Sequence, residues 1–123
     1  MSADRARPSP DSLLPLRPTE VLILTMLTAG DRHGYGIRQD ILAHTGGTIE
    51  LEAGNLYRHI RRLEDQGALK EAARRPAADA DDERRRYYAL TPFGRRVLAA
   101  EMLRLRALVR LAEERRIIAP ETA

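Results

Sequence analysis

Apolar residues recur at helical spacing along much of this chain, most sharply from Leu51 to Gly67. There Leu56, Ile60 and Leu63 fall on one narrow stripe, while Asn55, Arg58, Arg61, Arg62 and Asp65 point the other way. Upstream, Val21 to Leu27 is apolar on most sides, as a mostly buried helix is; Thr19 reads as its cap, Glu20 lies in its first turn and Gly30 ends it. Asp31 to Gly36 (DRHGYG) is a glycine-rich turn, after which Ile37, Ile41 and Leu42 mark a second short helix ending near Gly46. The third helix starts without a strong Ser, Thr or Asp cap and stops at Gly67. Ala68 to Ala72 is short enough for a strand, and Tyr87 to Leu90, closed by Thr91-Pro92, makes its partner, with Tyr88 expected inward beside Leu90. Ala73 to Glu83 forms the tip of that long hairpin.

The last segment is patterned differently. Thr91 caps it and Pro92 sits at the first helical position, where a missing N–H costs nothing. Leu98, Met102, Leu105, Val109 and Ala112 then follow the alternating four-and-three spacing of a coiled-coil seam, which Leu108 and Leu111 broaden. A helix from Pro92 to about Arg116 is a rod of about 37 Å, longer than its own domain, whose radius of gyration is about 11 Å. The apolar seam is covered either by folding back over one subunit or by the same helix of a second copy; we expect the second copy, related by a two-fold axis.

Helix, turn, helix, turn, helix and hairpin is the order of a winged helix-turn-helix. The expected fold class is therefore mainly α with a small two-stranded β-wing, extended by a long C-terminal dimerisation helix. Residues 1–15, polar and carrying Pro8, Pro10 and Pro15, read as a flexible N-terminal arm. Residues 16–91 form the DNA-binding domain, 92–117 the dimerisation helix and 118–123 a tail. In such folds the third helix enters the major groove, which gives its face of Asn55, Arg58, Arg61 and Arg62 a purpose beyond solvation. Asp65 is spaced to pair with Arg61 or Arg62, which would make part of that face structural. Tyr57 lies between the two faces, where a phenol packs with its ring and reaches with its hydroxyl.

Composition sharpens this picture in a few places. With 123 residues the chain is one domain, large enough to bury a core without staples. It has no cysteine, which removes thiol catalysis, iron–sulfur clusters, Cys-ligated zinc and disulfide frameworks together. Net charge is only +3, but Lys70 is the sole lysine among 21 basic residues, and arginine suits bidentate contact with phosphate and guanine. Arg84, Arg85 and Arg86, with Arg95 and Arg96, make the most positive stretch, suited to tracking a phosphate backbone. His33, His44 and His59 sit on different elements without the spacing of metal ligands, so they are expected to be surface or turn histidines, and no metal or other cofactor is expected. No glycine-rich phosphate loop or nucleophile elbow is present, so the chain is not expected to be an enzyme. No apolar run approaches a membrane span, and Met1 to Pro10 lacks the pattern of a secretory signal, so a cytoplasmic protein is expected. A second reading remains beside DNA binding: a winged-helix adaptor that binds proteins.

Four motifs in order resemble the PadR family of bacterial transcriptional regulators, in its short form with one C-terminal helix. They are Arg17-Pro18-Thr19-Glu20; His33-Gly34-Tyr35-Gly36-Ile37; Gly54-Asn55-Leu56-Tyr57-Arg58 with Arg62-Leu63-Glu64 and Gly67; and Arg86-Tyr87-Tyr88-Ala89-Leu90-Thr91 followed by Gly94. The resemblance spans roughly Leu16 to Arg116. It implies a homodimeric winged-helix repressor on a pseudo-palindromic DNA operator, released in many members by a small-molecule effector, here expected near the seam between the last helix and the first. It also implies that Tyr35, Asn55, Tyr57 and Arg58 lie at the DNA surface and that Arg86 is the basic residue of the wing's returning strand. The chain departs from the family at Asn55, where threonine is usual, and at a wing tip carrying Asp79, Asp81, Asp82 and Glu83, which shifts weight to the flanking Arg74, Arg75, Arg84 and Arg85. With no tryptophan, it lacks the residue on which some members stack flat aromatic ligands.

Overall fold

The computed structural model describes residues 9–72 and 86–121. Among the described residues, four α-helices and three short strands are arranged as α1 (Pro18–Leu27), β1 (Arg32–His33), α2 (Gly34–His44), α3 (Ala53–Asp65), β2 (Leu69–Glu71), β3 (Tyr87–Leu90) and α4 (Pro92–Glu114). The strands pair antiparallel in the order β1-β3-β2, with Leu69 opposite Leu90, Glu71 opposite Tyr88, and Arg32 opposite Tyr88 from the other side. The expected two-stranded wing thus gains a third strand from what reads in sequence as a plain turn. Two residues are too few for an alternating pattern, and their partner lies far along the chain.

One apolar core holds the helices together. Ile23, Leu24 and Leu27 of α1, Ile37 and Ile41 of α2, Leu56, Ile60 and Leu63 of α3, and Leu69, Tyr88, Val97 and Leu98 are all buried. Burying each such side chain contributes about 1.5–3 kcal/mol, so the stripe on α3 sets broadly which side of that helix faces outward.

The helix ends follow local chemistry, with one correction. The residue capping α1 is Arg17, Pro18 occupies the first turn, and Thr19 lies inside the helix. The proline's fixed φ starts the helix there, one residue before the expected threonine cap. At α4 the expectation holds: the Thr91 hydroxyl accepts from Gly94 N–H at 2.8 Å and donates to Gly67 C=O at 2.6 Å, tying α4 to the end of α3. The N-terminal arm is shorter than expected. Pro10–Leu13 form a 3-10 turn against α4, and Leu13, Leu14 and Leu16 pack on the core. Their leucines outweigh the proline-rich composition around them; residues 1–8 of the arm lie outside the described residues.

Candidate nucleic-acid interface

The N-terminal part of α2 and the outer face of α3 carry the site. At the start of α2, His33 accepts the Gly36 N–H on Nδ1 at 3.0 Å, and the His33 ring meets Tyr87 edge-on and stacks on Tyr35. This small aromatic stack leaves Tyr35 52% exposed. The linker to α3 is held by Arg38, whose Nε–H donates to Leu51 C=O at 2.8 Å.

On α3, Arg58 and Arg61 are exposed and Asn55 is half-buried. Tyr57 is partly exposed and lays its ring against Gly34, where any Cβ would collide with the phenol. That contact accounts for the first glycine of the HGYG motif: it lets α3 approach the start of α2.

Arg62 is engaged differently. Asp65 is spaced to pair with Arg61 or Arg62, but Arg62 meets Glu20 of α1 instead, with its Nε 3.1 Å from the carboxylate. His59 donates to the same carboxylate from Nδ1 at 2.9 Å. His59 is therefore an interior partner to a buried acid, against the expectation of a surface or turn histidine. The signal for it was Glu20 itself, an acid at the head of an otherwise apolar helix, which needs donors once it is buried. Among the described residues no cluster of potential ligands is arranged to hold a metal ion.

On the wing, Arg86 is exposed and its Nε lies 3.3 Å from Glu71. An exposed pair of this kind contributes at most about 1 kcal/mol, so it steers Arg86 without removing it from the surface. Arg84 and Arg85 lie outside the described residues, as do Arg74, Arg75 and the acidic tip. Beneath the wing, burial pushes the Tyr88 hydroxyl up to about 12, so it is a neutral packing group. Burial, helped by Glu71 and Asp65, also raises the Glu64 carboxyl.

The seam on α4 divides in two. Leu98, expected to open it, is 7% exposed and packs in its own core, because Gly94, Val97, Leu98 and Glu101 face inward over the first turns. From Met102 onward the helix is more exposed: Met102, Leu108 and Val109 are exposed, and Leu105 and Ala112 are half-buried. Glu101 is buried under a two-pronged pair from Arg104, with Nε at 2.7 Å and Nη2 at 2.8 Å. Beside it an open groove of about 340 Å³ runs between Pro18, Val21 and Leu22 of α1 and Arg104 and Leu105 of α4.

A winged helix with an outward arginine face on its third helix and a long, exposed last helix has the architecture of DNA-binding transcriptional regulators. Residues 23–100 match the transcriptional regulator PadR-like family, and the chain belongs to that family. A protein of Lysinibacillus sphaericus described only as uncharacterized is 32% identical over 79 residues, covering 63% of this chain and 69% of that one. Among solved structures, a transcriptional regulator from Clostridium thermocellum superposes with a TM-score of 0.65 at 25% identity, covering 78% of this chain and 87% of its own. A PadR family transcriptional regulator from Eggerthella lenta gives 0.61 at 28% identity, covering 85% and 82%. No helix among the described residues is long and apolar enough to cross a membrane.

Proposed function

We propose that this PadR-like regulator is a homodimeric repressor that binds a pseudo-palindromic operator in the cytoplasm through paired α3 helices in successive major grooves. The observation that carries the reading is the outward face of α3, where Arg58 and Arg61 are exposed above a fully buried apolar stripe. Arg58 and Arg61 read base edges or clamp phosphates, Asn55 offers its amide to adenine, and Tyr35 and Tyr57 place hydroxyls at the backbone. Arg86, with Arg84 and Arg85, tracks the flanking phosphates. Met102, Leu105, Leu108, Val109 and Ala112 meet their copies on the partner's α4. An effector seated against the groove between α1 and α4 would release DNA only by binding one arrangement of the subunits better than the other.

Fluorescence anisotropy tests the proposal, using DNA from upstream of the gene beside scrambled DNA of equal length at several salt concentrations. A dimer neutralising about six phosphates gives a log–log salt slope near −5, with tighter binding to the upstream fragment. An adaptor that binds only proteins shows no useful affinity for either fragment at physiological salt.

A further inference from the structure

Glu20 is a charged side chain with 0% exposure, placed where α1 passes beneath α3. Two donors from α3 converge on it. His59 Nδ1 donates to Oε2 at 2.9 Å, and Arg62 Nε donates to Oε1 at 3.4 Å while lying 3.1 Å from Oε2. Three residues apart, His59 and Arg62 share one edge of the helix. On the opposite edge Tyr57 rests on Gly34. Between the edges, Leu56, Ile60 and Leu63 press α3 onto the core.

These contacts differ in what they can fix. Apolar burial is non-directional, so the central stripe holds α3 down without strictly setting its rotation about its own axis. Hydrogen bonds are directional, and two of them from one edge onto a single immobile carboxylate resist rolling. At a side-chain radius of about 5–6 Å, a roll of about 15° carries a tip roughly 1.5 Å, beyond the window of a hydrogen bond.

We propose that Glu20 is a positioning residue for base reading: acting through His59 and Arg62, it sets the roll of α3 and so the aim of Asn55, Arg58 and Arg61. This rests on the reading of α3 as the DNA-facing helix. It also gives the two donors to this buried acid a task beyond satisfying its charge. Phosphate contacts tolerate a small roll, whereas bidentate base contacts do not. The signature is therefore lost preference without lost general affinity, which a purely stabilising role would not produce.

The test uses the full chain and its Glu20→Gln variant, which keeps the shape and one acceptor but removes the charge. Backbone residual dipolar couplings report the orientation of α3 relative to α1, and anisotropy reports binding to upstream and scrambled DNA. We expect the α3 couplings to change together as a rotation, and the preference for upstream DNA to fall about tenfold, while affinity for scrambled DNA holds. Unchanged couplings overturn the proposal whatever the DNA result, and so does an intact preference. A wild-type protein with no preference, whose α3 still rotates in the variant, removes the DNA reading but upholds the clamp. Should Glu20→Gln not fold, Arg62→Met, at a side chain that is 41% exposed, removes one donor at lower cost to the core, and the same rotation of α3 is expected.

Discussion

At Gly94 the first turn of α4 passes so close to the carbonyl of Ala68 that any Cβ would fall on the carbonyl oxygen. The same region carries the Thr91 cap and the Thr91 N–H donated to Ala68 C=O at 3.2 Å, so neither strand nor helix can yield. Gly94→Ala is expected to destabilise by at least about 2 kcal/mol, as overpacking of a rigid site does, measured as a shift in the urea midpoint. Gly54→Ala is the matched control: nothing lies within 4 Å of a Cβ there, so it should be neutral or stabilise by up to about 1 kcal/mol. Equal effects at both positions would contradict the close approach. The sequence singled out both Gly34 and Gly94 within motifs, but their reasons are contacts with Tyr57 and Ala68 from other elements, which no local pattern contains. The same holds for His59, whose role depends on Glu20 of another helix.

The helices themselves differ in how plainly they were written. α3 was legible from its pattern because one apolar stripe sits against a charged face, and the structure buries that stripe. The Thr91-Pro92 start of α4 was legible from capping chemistry. β1 was not, being two residues whose strand character comes only from pairing with Tyr87 and Tyr88. The seam on α4 was legible in spacing but not in its starting point, because spacing does not say which subunit covers Leu98.

On that same helix, hydrogen bonds from Arg104 hold the Glu101 carboxyl below its ordinary range against the opposing effect of burial, with further help from the Arg104 charge and a backbone bond from Leu16. A depressed carboxyl favours the folded state above the unfolded value of about 4.3, and this contribution is lost as pH falls through the lower folded value. Stability should therefore decline on acidification below about pH 4, and Glu101→Gln should flatten that decline while lowering stability at neutral pH. Urea titrations at both pH values in both proteins check it; an unchanged acid limb in the variant would count against the Glu101–Arg104 pair as its source.

For the whole molecule, the proposed dimer rests on the exposed half of α4 and the proposed DNA contact on the outward face of α3. Exposed Leu108 and Val109 on that half favour a second copy, so Val109→Glu should shift sedimentation from dimer to monomer. DNA affinity should fall with it, since each monomer holds only one reading helix. Arg58→Ala should cost about 1–3 kcal/mol of specific binding, with a smaller effect on scrambled DNA. The same anisotropy titrations supply both numbers.

The most direct measurement concerns where α3 sits on DNA. The chain contains no cysteine, so Gly54→Cys introduces a unique attachment point at the exposed first turn of α3, where the backbone leaves room for a side chain. With an iron chelate tethered there, the DNA-bound dimer should cleave the upstream fragment in two clusters about 34 Å apart, one per half-site. Cleavage spread evenly along a bound fragment, or none above the untethered control, would contradict the placement of α3 in the groove and with it the account of how this regulator reads DNA.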